Sequence, residues 1–221
     1  MPVRSTIHWS DVSTVAASSA LSTRRLGNAE PTPFTTERTV TKVADGIGKS
    51  SEKGIFYSQE YHTSFWGHMG LLDLRRYLTP DFSAYQHSAL SSPYPNNGVI
   101  ADITHEQGGL VGYVHLFDTV PAPEREQVTN AFPADVALGK VDYIEVVGFA
   151  DHKATAEVWY KLLNLGFRVP TGAGTDAMAN YASLRGPVGL NRVFLDTEGT
   201  RSSAALGDAL KSGGTLGSNG P

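Results

Sequence analysis

The chain has 221 residues, a formal net charge of −4, 40% hydrophobic residues and no cysteine. That is enough for one domain with a real core, it excludes disulfide and thiolate chemistry, and it leaves His, Asp and Glu to hold any metal. The acidic balance and the lack of a basic block give no reason to expect nucleic acid. No run approaches the roughly 18 apolar residues of a membrane helix, and no signal peptide opens the chain, so a soluble protein is expected.

Residues 1–54 are rich in Ser, Thr, Arg and small residues and lack a sustained apolar period; they read as a low-information segment, open to disorder. A short helix capped by Ser10 or Asp11 is the most that residues 10–17 suggest, and His8 reads as a surface histidine. The domain proper is expected over 55–221.

Its densest chemistry is Ser58-Gln-Glu-Tyr-His-Thr-Ser-Phe-Trp-Gly-His-Met-Gly70, which holds Glu60, His62 and His68. Strands predicted over 55–57 and 69–74 would leave these groups at strand ends or on the turn between, where they can converge. Imidazole with carboxylate suits zinc, manganese or iron better than calcium or magnesium. An exposed strand end with hydrogen-bonded histidines is the plainer alternative.

Further along, 81–97 reads as a long loop, then 99–107 as a helix capped by Asn96 or Asn97 and stopped by Gly108-Gly109. A buried strand over 110–115 delivers His115 at its carboxyl end. A loop over 117–133 leads to a second buried strand, 141–147. The strongest helix is predicted over 153–165, with Ala154, Val158, Leu162 and Leu165 as its apolar stripe and Gly166 as its stop. A strand over 167–173 delivers Asp176, and a strand over 192–195 and a helix over 204–211 follow. Strand–helix–strand order predicts parallel βαβ units, with Glu60, His68, His115 and Asp176 gathered at the carboxyl ends of the strands as in an α/β barrel. Singly, His115 also reads as a core histidine and Asp176 as a helix cap.

Four stretches carry a family resemblance: the Ser58–Gly70 run with Leu71-Leu72, Gly-Tyr-Val-His115, Val-Asp-Tyr-Ile-Glu145-Val-Val-Gly-Phe-Ala-Asp-His152, and Gly174-Thr-Asp-Ala-Met-Ala-Asn-Tyr-Ala-Ser-Leu-Arg-Gly-Pro187. Together, over about 55–221, they resemble the CehA/McbA-type metallohydrolases of the polymerase-and-histidinol-phosphatase (PHP) superfamily. The resemblance implies an α/β fold, a partial or distorted (β/α)7 barrel, with a metal centre of Zn, Mn or Fe. It implies a small-molecule substrate whose phosphoester or carbamate bond is cleaved by a metal-activated water.

By position, Glu60 matches the metal carboxylate of the family's Gly-x-Glu, His68 the histidine after it, His115 the histidine of the His-Pro motif and Asp176 the aspartate of Gly-Ser-Asp. The superfamily's opening His-x-His has no counterpart before Ser58, Leu116 stands in place of the usual Pro, and Ala177-Met178 where many members carry another histidine. A fragment is therefore expected, and a metal- or ligand-binding chain without turnover is the alternative. Asp176 is expected to bind metal and the attacking water, and Glu60 to bridge two ions. His152 would orient substrate or move a proton, its other reading being a helix-start histidine. His62 is expected to face substrate, and Arg185 to clamp a substrate anion or form a salt bridge.

Overall fold

The computed structural model describes residues 5–7, 35–37, 58–63, 65–78, 82–83, 92–124, 130–177, 184–187, 189–197 and 203–220. The helix considered at 10–17, the strand at 55–57 and most of the 81–97 loop lie outside them. In chain order the elements are β1 (Ser5–Ile7), β2 (Thr35–Glu37), β3 (Ser58–Thr63), β4 (Met69–Leu72), β5 (Arg76–Leu78), β6 (Phe82–Ser83) and α1 (Asn97–Glu106). Then come β7 (Leu110–Tyr113), α2 (Phe132–Ala137), β8 (Tyr143–Val147), α3 (His152–Asn164), β9 (Thr171–Ala173), β10 (Arg192–Leu195), α4 (Ser203–Lys211) and β11 (Thr215–Ser218).

Six strands form the main sheet in the order β6-β3-β4-β7-β8-β9. The steps β7-α2-β8 and β8-α3-β9 are parallel βαβ units, the second with the helix predicted for it. The first half departs from expectation: β4 runs antiparallel to both β3 and β7. The link from β3 to β4 is far shorter than the dozen or so residues a parallel crossover needs. Among the described residues no strand bridges β6 and β9, so what is described is an open mixed sheet rather than a closed barrel. A smaller antiparallel sheet, β1-β10-β11, lies beside it, joined where Thr171 Oγ1 and Thr215 Oγ1 meet at 2.9 Å. The segment 1–54 thus contributes two short strands, β1 against β10 and β2 against β5.

Alternation along the strands sends side chains to two faces. Tyr61, Met69, Leu71, Val111, Tyr113, Ile144 and Val146 form one face, covered by Ile100 of α1, Phe132 and Val136 of α2, and Ala154, Val158 and Leu162 of α3. Leu72, Leu110, Tyr143 and Val147 form the other, covered by Leu206 and Leu210 of α4 and Val193 and Leu195 of β10. Across this second face Glu60, Gly70, Gly112 and Tyr143 stand in one row of register partners. The Tyr143 ring lies over the glycines: a Cβ on Gly112 would come 2.0 Å from it, and the hydroxyl donates to Gly70 O at 3.0 Å.

Both long helices begin at side-chain caps, Asn96 as expected and Asp151 in addition. Asn96 Oδ1 accepts from Val99 N at 3.1 Å, and Asp151 Oδ1 accepts from Lys153 N and Ala154 N, each at 2.8 Å. Leu165 departs from the predicted stripe. It is the C-cap of α3 and is 73% exposed, because the helix ends before its position completes another turn. The strand predicted over 167–173 shrinks to β9, since Val169 O accepts from Trp159 Nε1 instead of a neighbouring strand and Pro170 has no N–H to offer. Helix α2 replaces the end of the predicted 117–133 loop. Pro133 sits in the first turn of α2, where its missing N–H costs nothing. Among the described residues no helix is long and apolar enough to cross a membrane.

Candidate metal centre

The direction of β4 decides how the site assembles. Because β4 runs against β3 and β7, its amino end lies at the same edge of the sheet as the carboxyl ends of β7, β8 and β9. Glu60 is therefore inside β3, paired with Gly70, and not at a strand end as expected. His68 enters at the start of β4 with its carbonyl accepting from Val114 N at 3.2 Å. The turn before it is fastened from two sides. Thr63 Oγ1 accepts from Phe65 N and Trp66 N at 3.2 and 3.3 Å, and Asn97 Nδ2 donates to Gly67 O at 2.9 Å. His115 follows β7 by two residues with φ 33°, in the left-handed region that a side chain rarely adopts.

These three side chains converge. Glu60 Oε1 lies 3.0 Å from His68 Nδ1 and 3.1 Å from His115 Nε2, and the two nitrogens are 3.4 Å apart. A metal with ligands at about 2.1 Å sets neighbouring donors about 3.0 Å apart in octahedral geometry and about 3.4 Å apart in tetrahedral geometry, so the trio is spaced as one side of a coordination shell. All three are part-buried, and their donor set of two imidazoles and a carboxylate fits a divalent transition ion.

Electrostatics bind the trio as tightly as geometry does. Burial alone would raise the Glu60 pKa, but hydrogen bonds and charge from His115 and His68 overcome it and hold the carboxyl well below its usual range. Burial would lower the His115 pKa, yet Glu60, helped by Glu145 and Asp176, raises it to about 9. His62 sits on the same face of β3 as Glu60, its ring centroid 3.6 Å from that of His68; burial and the neighbouring His68 lower its pKa to about 4.

Asp176 stands beside the trio and not within it. Its backbone also takes a positive φ, 53°, and its Oδ2 lies 2.6 Å from Arg185 Nε. Burial and then the Glu60 charge raise its pKa. The salt-bridge reading of Arg185 is thus the arrangement found, with the guanidinium also 5.0 Å over the Phe149 ring. His152 takes the first position of α3 and is exposed. Gly172 and Gly174 make room for neighbouring side chains. A Cβ on Gly172 would meet the Tyr143 ring at 2.9 Å, and one on Gly174 would meet Glu145 Oε1 at 1.9 Å.

Glu145 is the residue to which the sequence reading gave no role. Its carboxylate is buried, accepts the backbone N–H of His115 at 2.7 Å, and has its pKa raised to about 7 by burial against the opposing pull of His115. The signal available beforehand was a lone acid inside the otherwise apolar run Tyr143–Val147.

Among solved structures, the chain is similar to a two-domain protein from Bacteroides vulgatus ATCC 8482 containing a predicted PHP-like metal-dependent phosphoesterase. The TM-score is 0.50 at 15% sequence identity, over 81% of this chain and 49% of that one. The fold resembles that of this neighbour. At that identity the likeness speaks for the fold alone, and the chain spans about half the length of its PHP-like neighbour. No family model matches the chain, and no curated protein matches it.

Proposed function

We propose that the chain is a metal-dependent hydrolase of the PHP superfamily, of the CehA/McbA type, acting on a phosphoester or carbamate bond of a small molecule. The observation that carries this reading is the convergence of Glu60 Oε1, His68 Nδ1 and His115 Nε2 within 3.4 Å of one another at one edge of the main sheet. Glu60, His68 and His115 would hold the ion. When bound, a divalent ion there supplies Lewis acidity toward the scissile group's oxygen and lowers the pKa of water. Asp176, beside the trio, would add a carboxylate to the centre, and Arg185, stacked over Phe149, would face the substrate's anionic group. His62 presents a neutral ring to the same space, since its pKa near 4 keeps it uncharged at neutral pH. His152 belongs to the reading only as an exposed group at the same edge. The distorted (β/α)7 barrel is part of the proposal.

One observation favours a second reading, a metal- or ligand-binding chain without turnover: three donors converge, and the Asp176 carboxylate is engaged by Arg185. Metal content after purification, with hydrolysis of p-nitrophenyl phosphate and a naphthyl carbamate, separates the two. Bound transition metal and turnover that both vanish in His115→Ala support the hydrolase. Metal without turnover on either substrate supports the binding chain, and a metal-free protein after incubation with Zn, Mn or Fe overturns both.

A further inference from the structure

Glu145 is placed more deliberately than any other acid outside the trio. It sits on the same face of β8 as Tyr143, at a break in the β8–β9 register between Glu145 and Val147. Two glycines make room for its carboxylate: a Cβ on Gly174 would lie 1.9 Å from Oε1, and one on Gly148 would lie 2.6 Å from Oε2. A buried acid without partners costs far more than it returns, so a pocket shaped this closely around a carboxylate implies something specific for it to hold. Oε2 holds the N–H of His115, 2.7 Å away.

His115 needs holding. Its φ of 33° is a conformation that strains a non-glycine residue and persists only where the surroundings over-determine it. The left-handed turn is also what swings the ring back over the sheet edge, bringing Nε2 to 3.1 Å from Glu60. Removing the acceptor from beneath the turn frees the backbone to relax toward ordinary φ and carries Nε2 away from its partners.

We infer that Glu145 is a positioning residue for the metal centre: its buried carboxylate, wedged between Gly148 and Gly174, pins the left-handed turn at His115 and thereby sets the affinity of the Glu60–His68–His115 trio for a divalent ion. This rests on the metal reading of the trio. Glu145 acts through a hydrogen-bond acceptor and does not touch the ion, so an uncharged acceptor of the same length serves the purpose and an apolar side chain of the same length does not.

The test is Co2+ titration of the full chain, followed by its visible ligand-field spectrum, in wild type, Glu145→Gln and Glu145→Met. Gln keeps an acceptor for the His115 N–H, whereas Met fills the pocket without one. The expected result is binding within about threefold of wild type for Gln, and at least about tenfold weaker binding with an altered spectrum for Met, the scale seen when a group orienting a ligand is lost. A Met variant with wild-type affinity and spectrum overturns the inference, as does a Gln variant that falls as far as Met, since charge or direct ligation would then be the role. Should the Met variant not fold by circular dichroism, hydrogen exchange at the His115 amide in the wild-type and Gln proteins decides, and fast exchange overturns it. A wild-type protein that takes up no Co2+ overturns the metal reading itself, which keeps the two failures distinct.

Discussion

His62 and His68 lie ring against tilted ring but differ in role, and substitution separates them. His68 Nδ1 is 3.0 Å from Glu60, whereas His62 contributes no donor to the converging trio. His68→Ala is expected to abolish stoichiometric metal binding and His62→Ala to retain most of it; equal loss in both, by metal analysis of the purified variants, would count against the ranking. Asp176→Asn keeps shape but loses the charge that pairs with Arg185. It is expected to fold, retain metal and lose about 10² or more in turnover, the scale of a positioned acid–base group, and near-wild-type rates would return Asp176 to a structural role. At this scale the sequence was informative where the residue type carries its own chemistry, as with Glu60, His68 and His115. It was uninformative where the meaning lies in a partner: nothing in the chain announces that Arg185 pairs with Asp176, or that Glu145 serves the backbone of a residue thirty positions earlier.

Elements are locked by close approaches that a single methyl can test. Tyr143 occupies the space above Gly112, where a Cβ would meet three ring carbons at 2.0–2.4 Å. Gly112→Ala is expected to cost about 1–3 kcal/mol by overpacking. Combining it with Tyr143→Ala should cost less than the sum of the two, because the second change removes the clash; strict additivity in urea unfolding would show that the ring is not the obstacle. Asp142 ties other elements together. Its Oδ2 accepts from His105 Nε2 of α1 and from Val111 N of β7, each at 2.8 Å, while Lys211 Nζ of α4 lies 3.4 Å from Oδ1. Burial opposes ionisation, but these hydrogen bonds outweigh it and lower the pKa in the fold. The stabilisation is therefore complete above the unfolded carboxylate value of about 4 and is lost as pH falls through the lower folded value. Asp142→Asn should cost about 1–3 kcal/mol at neutral pH and flatten the acid limb of stability; an acid limb as steep as wild type's would place the titrating group elsewhere. The first long helix was legible from its Asn96 cap and the second from its apolar stripe and Gly166, while the Asp151 cap went unread. The antiparallel course of β4 was not, because an apolar run reads the same in either direction.

For the molecule as a whole, a bound ion should act as a ligand of the folded state alone. At a free concentration of 100 times its dissociation constant it would add about 2.7 kcal/mol, so the melting temperature should rise with Co2+ or Zn2+ and return with chelator; no shift would mean that the folded protein holds no ion. The α/β class and the β8-α3-β9 step could be read from strand–helix alternation, but helix α2 and the open, mixed sheet could not, since pairing across β3, β4 and β7 depends on long-range register. That course of the chain has a consequence in time. Glu60 and His68 belong to one hairpin and meet as soon as it closes, whereas His115 lies 55 positions from Glu60 and arrives only when β7 docks on β4. The third donor thus joins after the long loop has closed, late on the route to the native state. A metal taken up there holds contacts that the folding transition state lacks, so it should leave the refolding rate nearly unchanged and slow unfolding instead, making the ion a latch on the finished fold and not a seed for it.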